Sequence, residues 1–390
     1  MGLRFLAITS QLTNKFLMFL KLIAGTITIR KWIGANKMSS SSKSTLTQKN
    51  LNSISRVQQF VGDRYFKVLY EHFGDSFLDY RERWSRAIAG DLTEIAKGPL
   101  HVDLELSNSC NYKCSFCPYS APVELRPDGF NSSQDSIMMP LDLARKVLYE
   151  SRECGALAVE FGYNTEPLLY PYIFEIISYA KELGFIDIRM GTNGSLLNPA
   201  NVEKLLDSGL TQLQVSIDAV DSDSYKLARQ SNLYSKVTNN INGFLDARNS
   251  RNRTLPVLRV TYVMTPENKK NADIFYNQWK NLADIVALQD LFVYDNVNES
   301  QKPVDSIPEK AVSSSELESC YMPKVRLSVK SDGTVHPCCT VPGMSIKVGN
   351  VNESGVAAVW NCESMQSLRT SHLDGTWIHN KICLDCMLNG

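Results

Sequence analysis

The chain has 390 residues, of which 43% are hydrophobic, so it is long enough for one large domain and a smaller second one. Its 41 basic and 41 acidic residues cancel, but residues 1–60 hold nine of the basic residues and none of the acidic ones. The remaining chain is therefore mildly acidic, which argues against a nucleic-acid-binding surface, and its ordinary aromatic and charged fractions argue against global disorder.

Residues 1–51 form a basic extension in front of the folded body. We predict that this extension is either disordered or translated from sequence upstream of the true start. Residues 5–29 are apolar but contain two lysines, and the longest mainly apolar uncharged stretch, 22–29, is too short to span a membrane. A peripheral amphipathic helix, a targeting segment and a true start at Met38 stay open as interpretations. We favour the late start or a disordered extension, and we do not favour membrane contact through residues 1–35.

The next part of the chain predicts a helical lead-in followed by an α/β domain. Residues 52–98 carry large apolar side chains at three- and four-residue steps, which indicates helix. Within residues 99–295, six predicted strands cover residues 101–106, 156–161, 186–190, 212–217, 257–264 and 286–293. The predicted helices cover residues 140–153, 171–184, 199–208, 223–248 and 268–283. This alternation predicts parallel βαβ units that curl into a full or partial barrel, with ligands beyond the carboxyl ends of the strands.

A second, smaller domain is predicted at the C-terminal end. Residues 296–318 are rich in proline, serine and charge and predict a linker. Residues 319–390 then open with a hairpin, in which residues 325–330 and 334–338 flank a turn containing Asp332 and Gly333.

The ten cysteines fall mainly into two groups, one in residues 110–117 and one in residues 320–386. A secreted disulfide framework is more typical of a short, cysteine-dense chain. Tight groups in a chain of this length favour metal ligation in a reducing compartment, and we predict a cytoplasmic protein.

The loop directly after the first predicted strand carries Cys110, Cys114 and Cys117 in a C-x3-C-x2-C spacing. Thiolates at this spacing can bind three irons of a cubane cluster and leave the fourth iron without a protein ligand. Structural zinc usually takes four ligands, and neither a histidine nor a fourth cysteine lies nearby in sequence. We therefore favour an iron–sulfur cluster whose open iron can bind another molecule.

A second ligand set is available in the C-terminal domain: Cys320, Cys338, Cys383 and Cys386. The hairpin would bring the first two together, and the last two form a compact C-x2-C pair. By residue chemistry alone, four thiolates suit zinc and an iron–sulfur cluster equally well. Cys339 and Cys362 are additional, and one of them could replace a ligand.

The cysteine loop and the segments after the next strands resemble the radical S-adenosylmethionine (SAM) superfamily over residues 101–390. Members carry an aromatic residue before the third cysteine, here Phe116, and a Glu-Pro motif after the second strand, here at Glu166. Thr165 stands where a glycine is common in that motif. Arg229 lies where related enzymes place an arginine near the SAM carboxylate.

Two further segments match the family after the third and fourth strands. Residues 191–194 match its TNG turn, and residues 215–219 match its SID signature. The resemblance implies a partial (β/α)6 barrel in which SAM binds the open iron of a [4Fe-4S] cluster. Ser216 and Asn193 would face the ribose or methionine part of SAM.

The resemblance also implies the roles of the other SAM contacts. Glu166 would accept hydrogen bonds from the SAM amino group, and Arg229 would pair with its carboxylate. Phe116 and Val263 would flank the adenine. One-electron reduction, by a flavodoxin- or ferredoxin-type donor, would cleave SAM to a 5′-deoxyadenosyl radical that abstracts hydrogen from the substrate.

The C-terminal spacing, C-x12-G-x4-C from Cys320, followed by residues 348–350 and 359–361, resembles the SPASM extension of these enzymes. Because the sequence ends four residues after Cys386, it resembles the shortened single-cluster form, the twitch domain. The resemblance implies an auxiliary [4Fe-4S] cluster on Cys320, Cys338, Cys383 and Cys386 that takes up an electron.

Substrate and reaction stay open between two classes, a sugar-, polyol- or aminocyclitol-like small molecule and a peptide side chain. Oxidation, epimerisation, dehydration and peptide modification are all compatible with the motifs. The alternative function is a non-catalytic iron–sulfur or zinc protein acting as an electron carrier, redox sensor or structural adaptor, which would not need SAM.

Overall fold

The computed structural model describes residues 57–59, 64–122, 126, 137–291 and 319–389. The predictions for the extension at 1–51 and for the linker at 296–318 lie outside the described residues. No helix in the described part of the chain is long and apolar enough to cross a membrane.

Ten short strands, most of them rich in aliphatic and β-branched residues, form one sheet. In chain order they are β1 (Val57–Gln59), β2 (His101–Leu104), β3 (Ala158–Phe161), β4 (Asp187–Thr192), β5 (Gln212–Ser216), β6 (Val257–Met264), β7 (Ile285–Asp290), β8 (Arg326–Val329), β9 (Thr334–His336) and β10 (Gly349–Asn350). The strand order across the sheet is β1-β7-β6-β5-β4-β3-β2-β8-β9-β10. Strands β2 to β7 pair with one another in parallel, which confirms the predicted parallel sheet of six strands.

Within the described residues, twelve α-helices accompany the sheet. They are α1 (Arg64–Phe73), α2 (Asp75–Ile88), α3 (Leu141–Glu153), α4 (Ile173–Glu182), α5 (Pro199–Ser208), α6 (Ser222–Arg229), α7 (Tyr234–Ser250), α8 (Ala272–Trp279), α9 (Met322–Val325), α10 (Val351–Trp360), α11 (Glu363–Asp374) and α12 (Lys381–Asn389). Helix α6 begins with a capping box between Asp221 and Ser224, and α5 ends at Gly209 in the left-handed conformation.

Two predicted helical segments are interrupted. The lead-in is helical only from residue 64, because residues 57–59 pair with β7 as an antiparallel strand and cover the edge of the parallel sheet. Gly74, at φ 54°, separates α1 from α2. The segment predicted as one helix at 223–248 is split into α6 and α7, because Gln230 adopts a left-handed conformation at φ 52°.

The C-terminal hairpin belongs to the same sheet as the barrel strands. β8 pairs with β2 in parallel, and β9 pairs with β8 in antiparallel. The sequence pattern predicted this hairpin at the start of the C-terminal domain. Its pairing with β2 satisfies ladder groups that β2 would otherwise leave unpaired on that side.

Side chains alternate along these strands, so registered residues of neighbouring strands share a face. Val102 and Leu104 are fully buried on one face of β2, whereas Asp103 shares the other face with Glu160 and Arg189 of the next two strands. The sheet therefore has one apolar face and one face lined with charged residues. The functional residues lie on and above this charged face, at the carboxyl ends of the strands.

Candidate active site

The predicted cluster ligands Cys110, Cys114 and Cys117 lie together in the loop between β2 and a short 3-10 helix, Pro118–Ser120. Burial and the nearby Cys114 thiol raise the pKa of Cys117 to about 11, and burial also raises the pKa of Cys110. None of the ten cysteines forms a disulfide. The loop thus presents three free thiols that must lose protons to bind a metal cluster.

Side-chain and backbone hydrogen bonds fix the cysteine loop to its surroundings. The Ser115 amide donates to the Ala228 carbonyl at 3.0 Å, which ties the loop to α6. Asn111 accepts from Asn193 Nδ2 at 2.8 Å and donates to Ser195 Oγ at 2.9 Å, which ties it to the turn after β4. Asn111 was not among the predicted site residues. The sequence feature that could have indicated it is its position, since it is a short amide side chain directly after the predicted ligand Cys110.

Glu166 lies beside this loop and is 1% exposed. Its carboxylate accepts from Thr192 Oγ1 and the Asn193 amide, both at 2.8 Å, and from the Leu168 amide at 3.1 Å. Burial raises the pKa of Glu166, although these donors oppose the rise. Asn193 connects the two features, because its backbone binds Glu166 while its side chain binds the cysteine loop.

Thr165 contributes to the Glu166 loop where a glycine was expected. Its hydroxyl donates to the Ser107 carbonyl at 2.7 Å, so the side chain ties the loop to the segment after β2. The turn instead uses Gly162, at φ 74°, where an added Cβ would lie 2.5 Å from Pro167 Cδ.

Arg229 is buried at the end of α6 and contacts three groups. Its Nη1 lies 3.3 Å from Cys114 Sγ and 3.1 Å from Asp218 Oδ2, and its Nη2 donates to the Ser216 carbonyl at 2.6 Å. Burial opposes the positive charge, but the negative charges of Cys114 and Asp218 raise the pKa of Arg229 overall. The guanidinium is therefore a permanent cation beside Cys114, a predicted cluster ligand.

The two residues predicted against the adenine lie in separate segments of the site. Phe116 lies within the cysteine loop and is partly buried against the core. Val263 lies near the end of β6, and its amide donates to Asp218 Oδ1 at 2.7 Å. Asp218, at φ 59°, thus links β6 to Arg229. The residue that caps α6 is Asp221.

The second set of cysteines also converges. Thr340 Oγ1 lies 3.4 Å from Cys338 Sγ and 3.8 Å from Cys386 Sγ. Burial and the neighbouring thiols of Cys320 and Cys386 raise the pKa of Cys383 to about 12. Burial raises the pKa of Cys338 to about 12, and the neighbouring Cys320 thiol contributes to the rise.

The two additional cysteines face other groups. Burial raises the pKa of Cys339, and the charged groups beside it are Arg326, Asp103 and Glu160 of the sheet. Cys362 begins α11, and its thiol donates to the Val348 carbonyl at 3.4 Å. These contacts support Cys320, Cys338, Cys383 and Cys386 as the ligand set.

His101, Asp103 and Glu160 form a buried group whose ligand atoms lie within 4.8 Å of one another, a geometry that could suit a metal ion. Arg326 Nη2, however, lies 2.8 Å from His101 Nε2, 2.5 Å from Asp103 Oδ1 and 2.9 Å from Glu160 Oε2. The guanidinium occupies the position that an ion would need. Although burial opposes it, Arg326 lowers the pKa of Asp103 to about 2, so this group is an ion-pair network that joins β8 to the barrel.

The donor chemistry fits two iron–sulfur clusters of different kinds. Three free thiols and a buried arginine at the first site suit a cluster with one open iron, because thiolates bind iron strongly and the guanidinium offsets their charge. Four converging thiols at the second site suit a cluster with every iron ligated by protein.

Comparison with known proteins agrees with this chemistry. The radical SAM superfamily model matches residues 104–275, and the SPASM iron–sulfur cluster-binding domain model matches residues 320–387, which together span more than half of the chain. A structure of anSMEcpe with bound AdoMet shares the fold at a TM-score of 0.50 and 14% identity, covering 73% of this chain and 88% of that chain.

Two curated relatives have related sequences over shorter ranges. A probable GTP 3′,8-cyclase of Saccharolobus solfataricus is 26% identical over 185 residues, 46% of this chain and 52% of that protein. A PqqA peptide cyclase of Bradyrhizobium diazoefficiens is 32% identical over 123 residues, 32% of this chain and 30% of that protein. This chain thus spans about half the length of the first relative. The chain is an enzyme that belongs to the radical SAM superfamily, with a SAM-binding [4Fe-4S] cluster and a C-terminal SPASM domain for auxiliary iron–sulfur binding.

Proposed function

We propose that this enzyme removes a hydrogen atom from a sugar-, polyol- or aminocyclitol-like small molecule or from a peptide side chain, and that the auxiliary cluster accepts an electron from the substrate. The observation that carries the proposal is the pairing of a three-thiol site with a separate four-thiol site, because four cysteine ligands leave no open iron for binding substrate. An auxiliary cluster of that kind suits electron transfer.

When bound, the cluster and SAM supply one-electron cleavage of SAM and a 5′-deoxyadenosyl radical. Glu166 holds the SAM amino group, because its buried carboxylate keeps acceptor capacity beyond its three donors. Arg229 pairs with the SAM carboxylate while it stays in contact with Asp218. Ser216 and Asn193 contact the ribose or methionine part.

Phe116 and Val263 complete the proposed SAM site by flanking the adenine. The cysteine loop and the end of β6, on which they lie, are both tied to the residues around Arg229. A closed pocket at this position would keep the radical away from water and other reactants.

The reductant is proposed to be a flavodoxin- or ferredoxin-type protein, because the first cluster must receive an electron from outside the chain. The ten cysteines form no disulfide, and seven of them are proposed ligands, which supports a reducing compartment, and we propose the cytoplasm. The names of the relatives include enzymes that act on a nucleotide and on a peptide, which supports keeping both substrate classes.

The test is anaerobic reconstitution with iron and sulfide, followed by SAM and dithionite and chromatographic detection of 5′-deoxyadenosine. We expect that product and about eight irons per chain, which corresponds to two cubanes. A Cys114→Ala variant with the auxiliary cluster intact should form none. Absence of 5′-deoxyadenosine from wild-type protein with both clusters assembled would instead support a non-catalytic iron–sulfur protein.

A further inference from the structure

A buried polar group lies at the carboxyl ends of three adjacent strands. Glu105 follows β2, Tyr163 follows β3 and Lys330 follows β8. Tyr119, from the 3-10 helix after the cysteine loop, joins them. In parallel α/β sheets this edge is where ligands bind, so the group lies on the functional side of the fold.

Glu105 is the centre of this group and is fully buried. Its Oε2 accepts from the Tyr119 hydroxyl at 2.8 Å, and the Lys330 ammonium lies 3.9 Å from its Oε1. Lys330 Nζ also contacts the Tyr119 hydroxyl at 3.2 Å. Burial raises the pKa of Glu105, while Lys330 and Tyr119 oppose the rise. The carboxylate is thus held in place by two side chains from different segments.

Two atoms of the group are buried and make no hydrogen bond within the described part of the chain: Glu105 Oε1 and the Tyr163 hydroxyl. Burial and the charge of Glu105 raise the pKa of Tyr163. Tyr119, whose hydroxyl bonds Glu105, and Tyr163 pack against the same two apolar residues, Val341 and Met344, which places Tyr163 in this group.

The Lys330 ammonium, 3.9 Å from Glu105 Oε1, and the Ser331 backbone offset the charge of this carboxylate. Buried polar atoms that make no hydrogen bond are costly, and such atoms in a native protein indicate a bound molecule or ordered water.

The position of the group relates it to both cysteine sites. Tyr119 is two residues from Cys117, and Tyr119 and Tyr163 pack against Val341 and Met344. Those two apolar residues lie in the loop that begins at the auxiliary ligand Cys338. A molecule that contacts Glu105 and Tyr163 would therefore lie between the two cluster sites.

We propose that Glu105 and Tyr163 bind a hydroxyl group of the substrate and that the substrate is a small polyhydroxylated molecule. The inference rests on the proposed function and narrows its substrate class. A carboxylate oxygen accepts a hydrogen bond and a phenol can donate one, so the complementary group donates and accepts at once. A hydroxyl does both, whereas an ammonium cannot accept and a carboxylate cannot donate. The enclosure of Glu105 suits a small molecule better than a peptide chain.

The experiment measures binding of perdeuterated myo-inositol and perdeuterated glucose to enzyme with both clusters and SAM, without reductant, by calorimetry. The variants are Glu105→Gln and Tyr163→Phe. Their matched controls are Glu182→Gln, at an exposed site in α4, and Tyr149→Phe, at an exposed site in α3. Iron content of each variant reports whether it has folded and assembled its clusters. Dithionite is then added, and deuterium in 5′-deoxyadenosine reports hydrogen transfer from the probe.

We expect at least one probe to bind wild type and both controls equally, and its affinity to fall about tenfold or more in each variant, as expected for one lost buried hydrogen bond. Deuterium transfer from the probe to 5′-deoxyadenosine should fall together with the affinity. If Glu105→Gln fails to assemble its clusters, the probe affinity of Tyr163→Phe alone tests the proposal. Equal affinity in wild type and variants overturns the proposal. The absence of binding by both probes also overturns it.

The two proposals fail separately. If wild-type enzyme forms 5′-deoxyadenosine but takes no deuterium from either probe, the hydroxyl site is wrong and the proposed function stands. If assembled wild-type enzyme forms no 5′-deoxyadenosine, the proposed function is wrong, and calorimetry still reports on the site.

Discussion

Arg229 Nη1 lies 3.3 Å from the sulfur of Cys114, within reach of a charge-assisted contact. The same nitrogen lies 3.1 Å from Asp218 Oδ2, so one buried guanidinium joins a cluster ligand to the end of β5. A cation at this distance stabilises the more negative, reduced state of a cluster.

Removal of this charge should therefore affect the SAM-binding cluster selectively. We predict that Arg229→Met lowers the reduction potential of that cluster and reduces 5′-deoxyadenosine formation about tenfold or more, since hydrogen bonds to charged groups contribute roughly 1.5–3 kcal/mol. The potential is measured by redox titration with electron paramagnetic resonance. Lys226→Met removes an exposed charge from the same helix and should change neither value. An unchanged potential in Arg229→Met would contradict the assigned role.

Glu166 should be sensitive to an isosteric change, because its carboxylate accepts from donors on both oxygens. Glu166→Gln turns one acceptor into an NH2 group that faces the Thr192 hydroxyl or the Asn193 amide. We predict a loss of SAM affinity of about tenfold or more, measured by calorimetry on enzyme with both clusters assembled. The exposed Glu182→Gln variant is the control. Wild-type affinity in Glu166→Gln would show that this side chain does not hold SAM.

The auxiliary site can be tested through a glycine. A Cβ on Gly343 would lie 2.0 Å from Cys338 Sγ, so Gly343→Ala should displace that sulfur. We predict that iron falls from about eight to about four per chain, while the signal of the SAM-binding cluster persists. Gly243→Ala, in α7, meets nothing within 4 Å and should retain all the iron. Full iron occupancy in Gly343→Ala would argue against Cys338 as a ligand.

His372 predicts a pH dependence of stability. It is 2% exposed, and burial together with the Lys324 charge lowers its pKa to about 4. Because an unfolded histidine titrates near 6.5, the unfolded state binds more protons between about pH 6.5 and 4. Stability should therefore fall as the pH is lowered through this window, by at most roughly 1.4 kcal/mol per pH unit for this residue.

The measurement is thermal unfolding of wild type and His372→Phe between pH 7 and 5, under anaerobic conditions with clusters bound. The substitution keeps an aromatic ring against Trp377, on which His372 stacks at 5.6 Å between ring centroids. The difference between the unfolding midpoint temperatures of wild type and His372→Phe should change steadily with pH. His379→Phe, a substitution at an exposed histidine of the same domain, is measured alongside as the control for replacing a histidine by phenylalanine. A difference for His372→Phe that does not vary with pH would disprove the prediction.

Local patterns in the sequence predicted the parts of the site that depend on short spacings. The cysteine loop, the Glu166 loop and the turn at Asn193 each follow a strand directly, and the family resemblance, not residue type alone, assigned them to one site. In the structure, Asn193 contacts both of the other segments. The long-range pairings were not accessible in this way. Arg326 pairs with Asp103 because β8 joins β2 in register. The two residues are more than 200 positions apart in the sequence, so a local pattern cannot predict their contact.

The same limit explains why Glu105 and Lys330 were missed. Each reads as an ordinary polar residue at the end of a strand, and only the parallel pairing of β2 with β8 brings them together. The break between α6 and α7 was missed for a different reason. Gln230 has no intrinsic preference for a left-handed conformation, and it ends α6 immediately after Arg229, whose guanidinium binds three groups of the site.

The most direct test of the account is whether SAM binds the open iron at the Cys110, Cys114 and Cys117 site. Electron–nuclear double resonance of reduced enzyme, with 15N in the SAM amino group, measures this in a Cys383→Ala variant that lacks the auxiliary cluster. We predict a 15N hyperfine coupling to the remaining cluster. A reduced cluster with no such coupling at saturating SAM would contradict the central claim.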